Sequence, residues 1–223
     1  CYNLSGANLA FAIILVTVII KLVFYPLSGK ALKSQRALQE LQPKVDALRA
    51  KYKDSKEELA KELMVLYKNE RVSPFSSCLP MLVQLPFLFA IYQVFQSGLS
   101  SGSLNLLYPF VANPEHINSL IFGMWDLSKP TWVLAIITAA AQYFQAKMLV
   151  HTKPPVATPG SQDESLAASM NKQALYIMPV VTAFFGFTLP GGLMLYWFVN
   201  TALTIGQQYL TFRHHGKQPP VST

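Results

Sequence analysis

Apolar residues fall into five long runs that are separated by polar or irregular segments. Each run has about the 20 residues that an α-helix needs to cross the hydrocarbon layer of a membrane. The predicted spans cover residues 9–27, 77–97, 131–150, 173–189 and 193–212. The second contains Pro80 and Pro86, which membrane helices tolerate when neighbouring groups satisfy the freed backbone. This pattern predicts an all-α membrane protein with five transmembrane helices.

Polar or irregular segments connect these spans. They are a charged segment (30–72), a long loop with a short amphipathic piece near its end (98–130), a Pro-rich segment (151–172) and a short basic tail (213–223). The sequence PGG at 190–192 predicts a tight turn between the last two spans. The whole chain, 1–223, is therefore predicted to be a single domain.

The charged segment 30–72 has the apolar spacing of two packed helices. Its apolar residues recur at steps of three and four, as in a coiled-coil seam: Leu38, Leu41, Val45, Leu48, Tyr52, then Leu59, Leu63 and Leu66. Pro43 predicts a break in the first helix, and Ser55 to Glu58 has the form of a capping box that starts the second. The segment is predicted to be a two-helix hairpin with few contacts to the membrane core. A docking or gating role is favoured over that of a connector, because a connector would not need this length.

The distribution of basic residues predicts the orientation of the spans. The chain has 18 Lys and Arg against 11 Asp and Glu, a formal net charge of +7. Outside the spans, all basic residues except Lys129 fall on the side of the hairpin, the Pro-rich segment and the tail. Because positive loops stay in the cytoplasm, we expect the hairpin and C-terminus inside and the N-terminus outside. Membrane topology explains the positive charge better than a specific nucleic-acid motif does.

The two cysteines do not form a disulfide framework, since Cys1 and Cys78 fall on opposite predicted sides of the membrane. Cys1 comes directly before a predicted span. This position is typical of a cysteine that is lipidated after signal cleavage, and Cys1 is therefore a candidate lipidation site. The alternative is that the position of this cysteine at the start of the chain has no functional meaning.

One cation lies inside the first apolar run. Lys21 stands between Ile20 and Leu22, and an ionised side chain in hydrocarbon costs about 2.5–3.5 kcal/mol on insertion scales. Three explanations are open: the lysine extends to the headgroups, pairs with a buried carboxylate, or faces a water-filled cavity within the bundle. The predicted spans contain no Asp or Glu, which argues against the second explanation.

Polar residues in the spans favour the cavity. Thr17 and Ser28 share a helix face with Lys21. Other spans supply amides and hydroxyls: Gln84, Gln93, Gln142, Gln145, Asn200, Thr204, Gln207 and Gln208. Each by itself would be an ordinary interhelical hydrogen-bonding group. Together with Lys21 they predict a hydrophilic groove inside the membrane.

The sequence argues against several classes of function. All four histidines lie in loops or the tail, so no intramembrane proton relay is indicated, and the two halves show no repeat of the kind found in transporters. No nucleotide-binding, metal or nucleophile motif indicates an enzyme, a cofactor or a metal. A device that receives polar, acidic segments of other chains fits best. A small-solute transporter or channel that uses the same cavity is the alternative, and a structural assembly factor is a further one.

Several segments resemble the YidC family of membrane protein insertases. They are the late basic residue of the first span with its following YPL and hairpin, the second span PFSSCLPMLVQLPFLFAIYQVF, the loop FGMWDLSKP, and the last span PGGLMLYWFVNTALTIGQQYL. The resemblance covers almost the whole chain. The large periplasmic domain of the Gram-negative form is not part of it. The resemblance therefore points to the short five-span type, related to the mitochondrial and thylakoid insertases.

The resemblance implies five helices around a groove that opens to the cytoplasm and to lipid, in a bacterial cytoplasmic membrane. The basic groove residue of the family corresponds to Lys21, and a client contact corresponds to Thr17. The aromatic pair of the last span corresponds to Tyr196 and Trp197, for which interfacial anchoring is the alternative. The other predicted members of the client-binding groove are Gln84, Gln142, Gln145 and Asn200.

The mechanism expected from this resemblance is insertion without nucleotide hydrolysis. A nascent span first meets the hairpin, and the groove then hydrates its outside-going tail while Lys21 attracts the negative charge of that tail. The apolar part leaves between the first and fifth spans into lipid, driven by apolar burial. The expected partners are nascent membrane proteins and the lipid bilayer. The ribosome, targeting factors and the general translocon are further candidates.

Overall fold

The computed structural model describes residues 8–72, 79–97, 117–121, 123–149 and 173–215, and these are almost entirely helical, as the sequence pattern predicts. The helices are α1 (Leu9–Val23), α2 (Tyr25–Glu40), α3 (Gln42–Lys51), α4 (Lys56–Asn69), α5 (Leu79–Ser97), α6 (Trp132–Leu149), α7 (Met178–Phe185) and α8 (Gly191–His215). A π-helical turn, Gln173–Ile177, leads directly into α7. Cys1, Cys78, the Pro-rich segment and the end of the tail lie outside the described residues.

The first helix ends earlier than the sequence pattern predicts. Asn8 caps α1 by accepting a hydrogen bond from the Ala10 amide at 2.9 Å, and α1 stops at Val23 rather than at the predicted Leu27. The chain then turns by 70° into α2. Pro26 lies in the first turn of α2, where a residue without an amide N–H is tolerated. The predicted span 9–27 is therefore a straight helix followed by a bend.

Taken one at a time, the described helices do not combine the length and the apolar composition that would carry a helix across a bilayer. The bent pair α1 and α2 meets both requirements when its two helices are taken together. Shorter apolar helical segments are Gln84–Phe95 and Leu175–Phe185.

The core of the bundle surrounds the first half of α8. This helix packs against α1, α2, α5 and α6, and α7 packs against α6. The buried apolar cluster consists of Ala10, Ile13, Phe95, Ile121, Leu127, Leu134, Ala135, Leu193, Met194, Leu195 and Tyr196. Because complete burial of a large apolar side chain contributes about 1.5–3 kcal/mol, this cluster holds α8 in the centre of the fold.

Large apolar side chains also cover the outside of the bundle. They include Phe11, Leu22 and Val23 of α1, Phe89 of α5, Ile136 and Phe144 of α6, and Val180 and Phe184 of α7. Large exposed apolar patches mark contacts with a partner or a membrane. The outer faces of these helices are therefore suited to apolar surroundings.

Helices α3 and α4 form the predicted helical hairpin. They pack against each other, and Val45 of α3 is buried. The break before Pro43 is present, since α3 begins at Gln42. Ser55 is the N-cap residue of α4, as expected, but its side chain makes no capping hydrogen bond, so the predicted capping box is wrong.

Helix α2 joins the hairpin to the bundle more firmly than predicted. It packs against α8, α5 and α6. The guanidinium of Arg36 lies 4.8 Å from the centre of the Phe212 ring, a distance at which a cation interacts with an aromatic face. The expectation of few contacts with the bundle is therefore wrong for α2. The break at Leu41, between α2 and α3, separates this anchored helix from the hairpin pair.

A small β-hairpin replaces the predicted amphipathic piece near residue 117. Strands β1 (Leu120–Ile121) and β2 (Trp125–Asp126) pair antiparallel, and Gly123 lies in their turn with φ of +69°, a conformation that glycine adopts without strain. Asn118 accepts a hydrogen bond from the Leu9 amide at 3.0 Å. Strands of two residues show no periodic pattern in the sequence, which is why this element was not predicted.

The segment after β2 holds the start of α8. The backbone amides of Gly191 and Gly192 donate to the carbonyls of Lys129 and Leu127, each at 2.9 Å. The helix thus begins at Gly191 and includes two residues of the predicted turn. A Cβ atom on Gly192 would lie 1.9 Å from the ring of Phe95. Only glycine permits this approach of α8 to α5 without a shift.

Asp126 orders the same loop through its carboxylate. It accepts hydrogen bonds from the Ser128 hydroxyl at 2.6 Å, the Ser119 hydroxyl at 2.7 Å and the Ser128 amide at 3.0 Å. The Ser128 hydroxyl, followed by that of Ser119, holds the pKa of this carboxyl below its ordinary value. A carboxylate that accepts several hydrogen bonds favours its charged form, so this loop is most stable with Asp126 ionised.

We expect Asp126→Ala to lower the free energy of unfolding by about 1 kcal/mol near neutral pH, since it removes hydrogen bonds to a charged group. The folded pKa lies below the unfolded value of about 3.9. The contribution is therefore present above about pH 4 and is lost as the pH falls through the folded pKa. Thermal unfolding of both proteins across this range measures the effect. Lys129→Ala is the control, because its exposed ion pair at 3.7 Å contributes little. A difference between wild type and Asp126→Ala that grows on acidification would contradict this assignment.

Candidate functional site

Lys21 lies in a cluster of polar side chains where α1, α5 and α8 meet. Its ammonium donates a hydrogen bond to the Thr204 hydroxyl at 2.7 Å and a longer one to the Asn200 side-chain oxygen at 3.4 Å. The Asn200 amide donates to the Gln84 side-chain oxygen at 3.3 Å, and the Gln84 amide donates to the Tyr196 hydroxyl. We call Lys21, Gln84, Tyr196, Asn200 and Thr204 the Lys21 cluster.

The sequence of α8 places three members of the Lys21 cluster on one face. Tyr196, Asn200 and Thr204 follow one another at intervals of four residues, and residues with this spacing lie above one another on a helix. The Thr204 hydroxyl donates to the Asn200 backbone carbonyl at 2.7 Å, which turns its oxygen towards Lys21. Tyr196, Asn200 and Thr204 therefore form one polar row along this face of α8.

The positive charge of Lys21 is balanced by dipoles rather than by a carboxylate. Lys21 is half-buried, and within the described residues the ion pairs involve other groups. An ammonium has three donors, and two of them have partners in the Lys21 cluster. The site can therefore attract an anion from another molecule, because the charge is not neutralised within the described part of the chain.

A second set of polar contacts lies one turn further along α8. The Gln207 amide donates to the Ser28 hydroxyl and to the Tyr25 backbone carbonyl, each at 3.1 Å. Its side-chain oxygen and both polar side-chain atoms of Gln208 are buried without a hydrogen-bond partner. Buried polar atoms without partners are unfavourable, so this interface is less well satisfied than the Lys21 cluster.

Two predicted groove residues are buried inside the packed bundle. Thr17 and Tyr196 are each 2% exposed. The Thr17 hydroxyl donates to the Ile13 carbonyl of its own helix at 2.6 Å, so it does not take part in the Lys21 cluster. This burial differs from the expectation of residues that line an open groove. Neither side chain is accessible from outside the packed helices in this structure.

The relationship of this chain to known proteins extends over nearly its whole length. The family described as 60Kd inner membrane protein matches residues 1–218. The chain belongs to this family. A location in a membrane agrees with the outward-facing apolar side chains of α1, α5, α6 and α7.

Curated relatives of the chain are named Membrane protein insertase YidC. Those from Francisella tularensis subsp. novicida (strain U112), subsp. tularensis (strain WY96-3418) and subsp. holarctica (strain FTNF002-00 / FTA) are each 37% identical to it over 216 residues. The match covers 96% of the chain and 34% of each relative. The chain thus spans about a third of the length of the curated relatives it matches. The resemblance to the YidC family is confirmed, and so is the general prediction of a bacterial inner membrane.

The remaining predicted site residues lie outside the Lys21 cluster. Gln142 and Gln145 are half-buried on α6, and the Gln142 side-chain oxygen is buried without a partner. Trp197 is partly buried against the apolar core. The structure therefore brings Gln84, Tyr196 and Asn200 to Lys21 but not Thr17, Trp197, Gln142 or Gln145.

The nearest partner of Lys21 was absent from the predicted client-binding set. Thr204 lies closer to the ammonium than any other hydrogen-bonding partner among the described residues. Its spacing of four residues from Asn200 was the available signal, since it places both side chains on one face of the helix.

Proposed function

We propose that this chain is a membrane protein insertase that receives nascent transmembrane segments at the Lys21 cluster and releases them into lipid. The observation that carries the proposal is the half-buried ammonium of Lys21, held by neutral oxygens of Thr204 and Asn200. Its relatives are named insertases, which supports the same function. The chain has the charge and the polar groups to bind an acidic tail transiently.

The proposed architecture has five transmembrane helices around the Lys21 cluster. The apolar outer faces of α1, α5, α6 and α7 support contact with lipid. In this arrangement α3 and α4 lie in the cytoplasm with the C-terminus, and the N-terminus lies outside, since basic residues concentrate on the cytoplasmic side. A lipidated Cys1 would anchor the outer end of α1.

The first step of insertion is electrostatic. A carboxylate in the translocated tail of the client approaches Lys21, and the attraction between unit charges about 4 Å apart is about 4 kcal/mol at an effective dielectric constant of 20. The client carboxylate can take the hydrogen bonds that Lys21 donates to Thr204 and Asn200. Because those partners are neutral, the exchange leaves no charge unpaired.

The second step is the separation of α5 and α8. Within the Lys21 cluster these helices are joined by side-chain hydrogen bonds of Gln84 with Asn200 and with Tyr196. A typical hydrogen bond contributes only about 0.5–1.5 kcal/mol net, and the polar backbone of a client offers equivalent donors and acceptors. Exchange of these bonds, together with opening of the apolar contacts around Tyr196, would expose Tyr196 to the client.

The third step is transfer of the client to lipid. A client helix of about 20 apolar residues gains free energy when it leaves a polar site for hydrocarbon. We place its exit between α1 and α8, on the side where Lys21 lies. The hairpin α3–α4, which is joined to the bundle through α2, serves as the first contact for the client or its targeting factors. The proposed partners are nascent membrane proteins and lipid, with the ribosome, targeting factors and the general translocon as candidates.

We expect a photo-crosslinking group at Gln84 to form an adduct with a stalled nascent membrane protein, because Gln84 contacts both Tyr196 and Asn200 of the Lys21 cluster. The same group at Ile136, an exposed residue on α6, is the matched control and should label lipid instead. Electrophoresis of the labelled client measures the adducts. Equal labelling at the two positions would contradict a client site at the Lys21 cluster.

The same purified chain in sealed vesicles separates the insertase from a small-solute transporter. An insertase should protect the translocated tail of an added client from external protease and should leave the entry of small solutes unchanged. Solute entry without a client, together with an unprotected tail, would replace the proposed function by transport. No contact in the described residues favours the transporter.

A further inference from the structure

A cleft of about 740 Å³ lies between α6 and α8. Its apolar walls include Phe144 of α6 and Phe198 and Ile205 of α8. Lys21 and the other members of the Lys21 cluster do not contribute to its lining, so it is separate from the proposed client site. Its volume falls within the range of about 300–1,000 Å³ that is usual for small-ligand sites.

Small residues keep this cleft open. Ala141 and Ala202 contribute side chains that end at Cβ, so the space between the two helices is not filled from either side. The ring of Phe144 is 60% exposed, which leaves an apolar surface at the opening. A flexible hydrocarbon chain fits such a site, because burying each CH₂ group contributes about 0.8 kcal/mol.

One charged residue lies in the lining of the cleft. Lys147 is in the last turn of α6 and is exposed. Within the described part of the chain, the ion pairs are formed by other residues. Basic pockets between membrane helices bind anionic lipid headgroups on the cytoplasmic side. The cleft thus combines an apolar wall for an acyl chain with a cation for a phosphate.

We propose that the cleft between α6 and α8 binds one phospholipid with an anionic headgroup, its phosphate at Lys147 and an acyl chain along Phe144 and Phe198. This site is additional to the insertase function and does not depend on it. The occupant is a lipid rather than a protein segment, because charge complementarity selects the headgroup and the cleft is apolar apart from that one cation.

Native mass spectrometry of the purified protein tests the proposal with phosphatidylglycerol and phosphatidylcholine that carry identical acyl chains. We expect the wild type to retain phosphatidylglycerol preferentially. Lys147→Gln should reduce this preference about fivefold, as one lysine–headgroup contact predicts, and Lys147→Arg should preserve it. Ala202→Phe, which fills the cleft, should reduce retention of both lipids.

The controls separate this site from general attraction between basic proteins and anionic lipid. Lys30→Gln removes an exposed basic residue outside the cleft and should leave the preference unchanged. Inorganic phosphate should not displace the lipid, because it cannot occupy the apolar wall. An unchanged preference in Lys147→Gln, or an equal loss in Lys30→Gln, would overturn the proposal. Retention of a peptide or a second copy at this face, with lipid binding insensitive to Lys147→Gln, would also overturn it.

Discussion

Lys21→Glu is expected to reduce the insertion of clients with acidic translocated tails by about tenfold or more. Reversal of the charge replaces attraction by repulsion, and each 1.4 kcal/mol corresponds to about a factor of ten. Lys21→Arg should retain activity, since it keeps the charge and can donate to Thr204 and Asn200. Protease protection of the client tail, in vesicles with equal amounts of each variant, measures insertion.

A client with a basic tail separates the electrostatic role of Lys21 from its structural role. The test client has a tail in which lysines replace the acidic residues. If Lys21 acts through its charge, Lys21→Glu should insert this client better than the wild type does. Lys30→Glu, a charge reversal outside the Lys21 cluster, is the matched control and should discriminate little between the two clients. Normal insertion of acidic tails by both Lys21→Ala and Lys21→Glu would refute the role of the charge.

Gly186→Ala is expected to destabilise the protein by about 1–3 kcal/mol, the usual cost of overpacking. Gly186 ends α7, where an added Cβ would lie 2.1 Å from the Cβ and 3.1 Å from the Cα of Ala135. Ala135 is fully buried in α6, so the clash can be relieved only by moving the two helices apart. Thermal unfolding in detergent, followed by circular dichroism, measures the loss.

Gly206→Ala provides a control of opposite sign. Gly206 lies within α8, is exposed, and has no atom within 4 Å of the position that an added Cβ would occupy. Alanine there should stabilise the helix by about 0.5–1 kcal/mol, because glycine loses more conformational freedom on folding. If both variants shifted the free energy of unfolding in the same direction, close packing of α6 against α7 would not explain why position 186 is a glycine.

The pattern of apolar residues was sufficient to predict most of the helices. Helix formation depends on local spacing, so α5, α6, α7 and α8 lie within or close to predicted spans. The pattern missed the bend at Phe24, because the apolar run continues through it while the backbone changes direction. It also missed the pairing of β1 with β2, since each strand has two residues.

The sequence by itself determined that a cation lies within an apolar helix and that the last helix carries amides and hydroxyls every three or four residues. The family and the helical class followed from the sequence as well. Only the tertiary structure decided which of these groups meet Lys21. Thr17 is close to Lys21 in sequence, yet it bonds to its own helix. Thr204 and Asn200, about 180 residues away, become its partners. The rotation of each helix about its axis is set by packing between distant segments, and the spacing of residues within one helix does not contain that information.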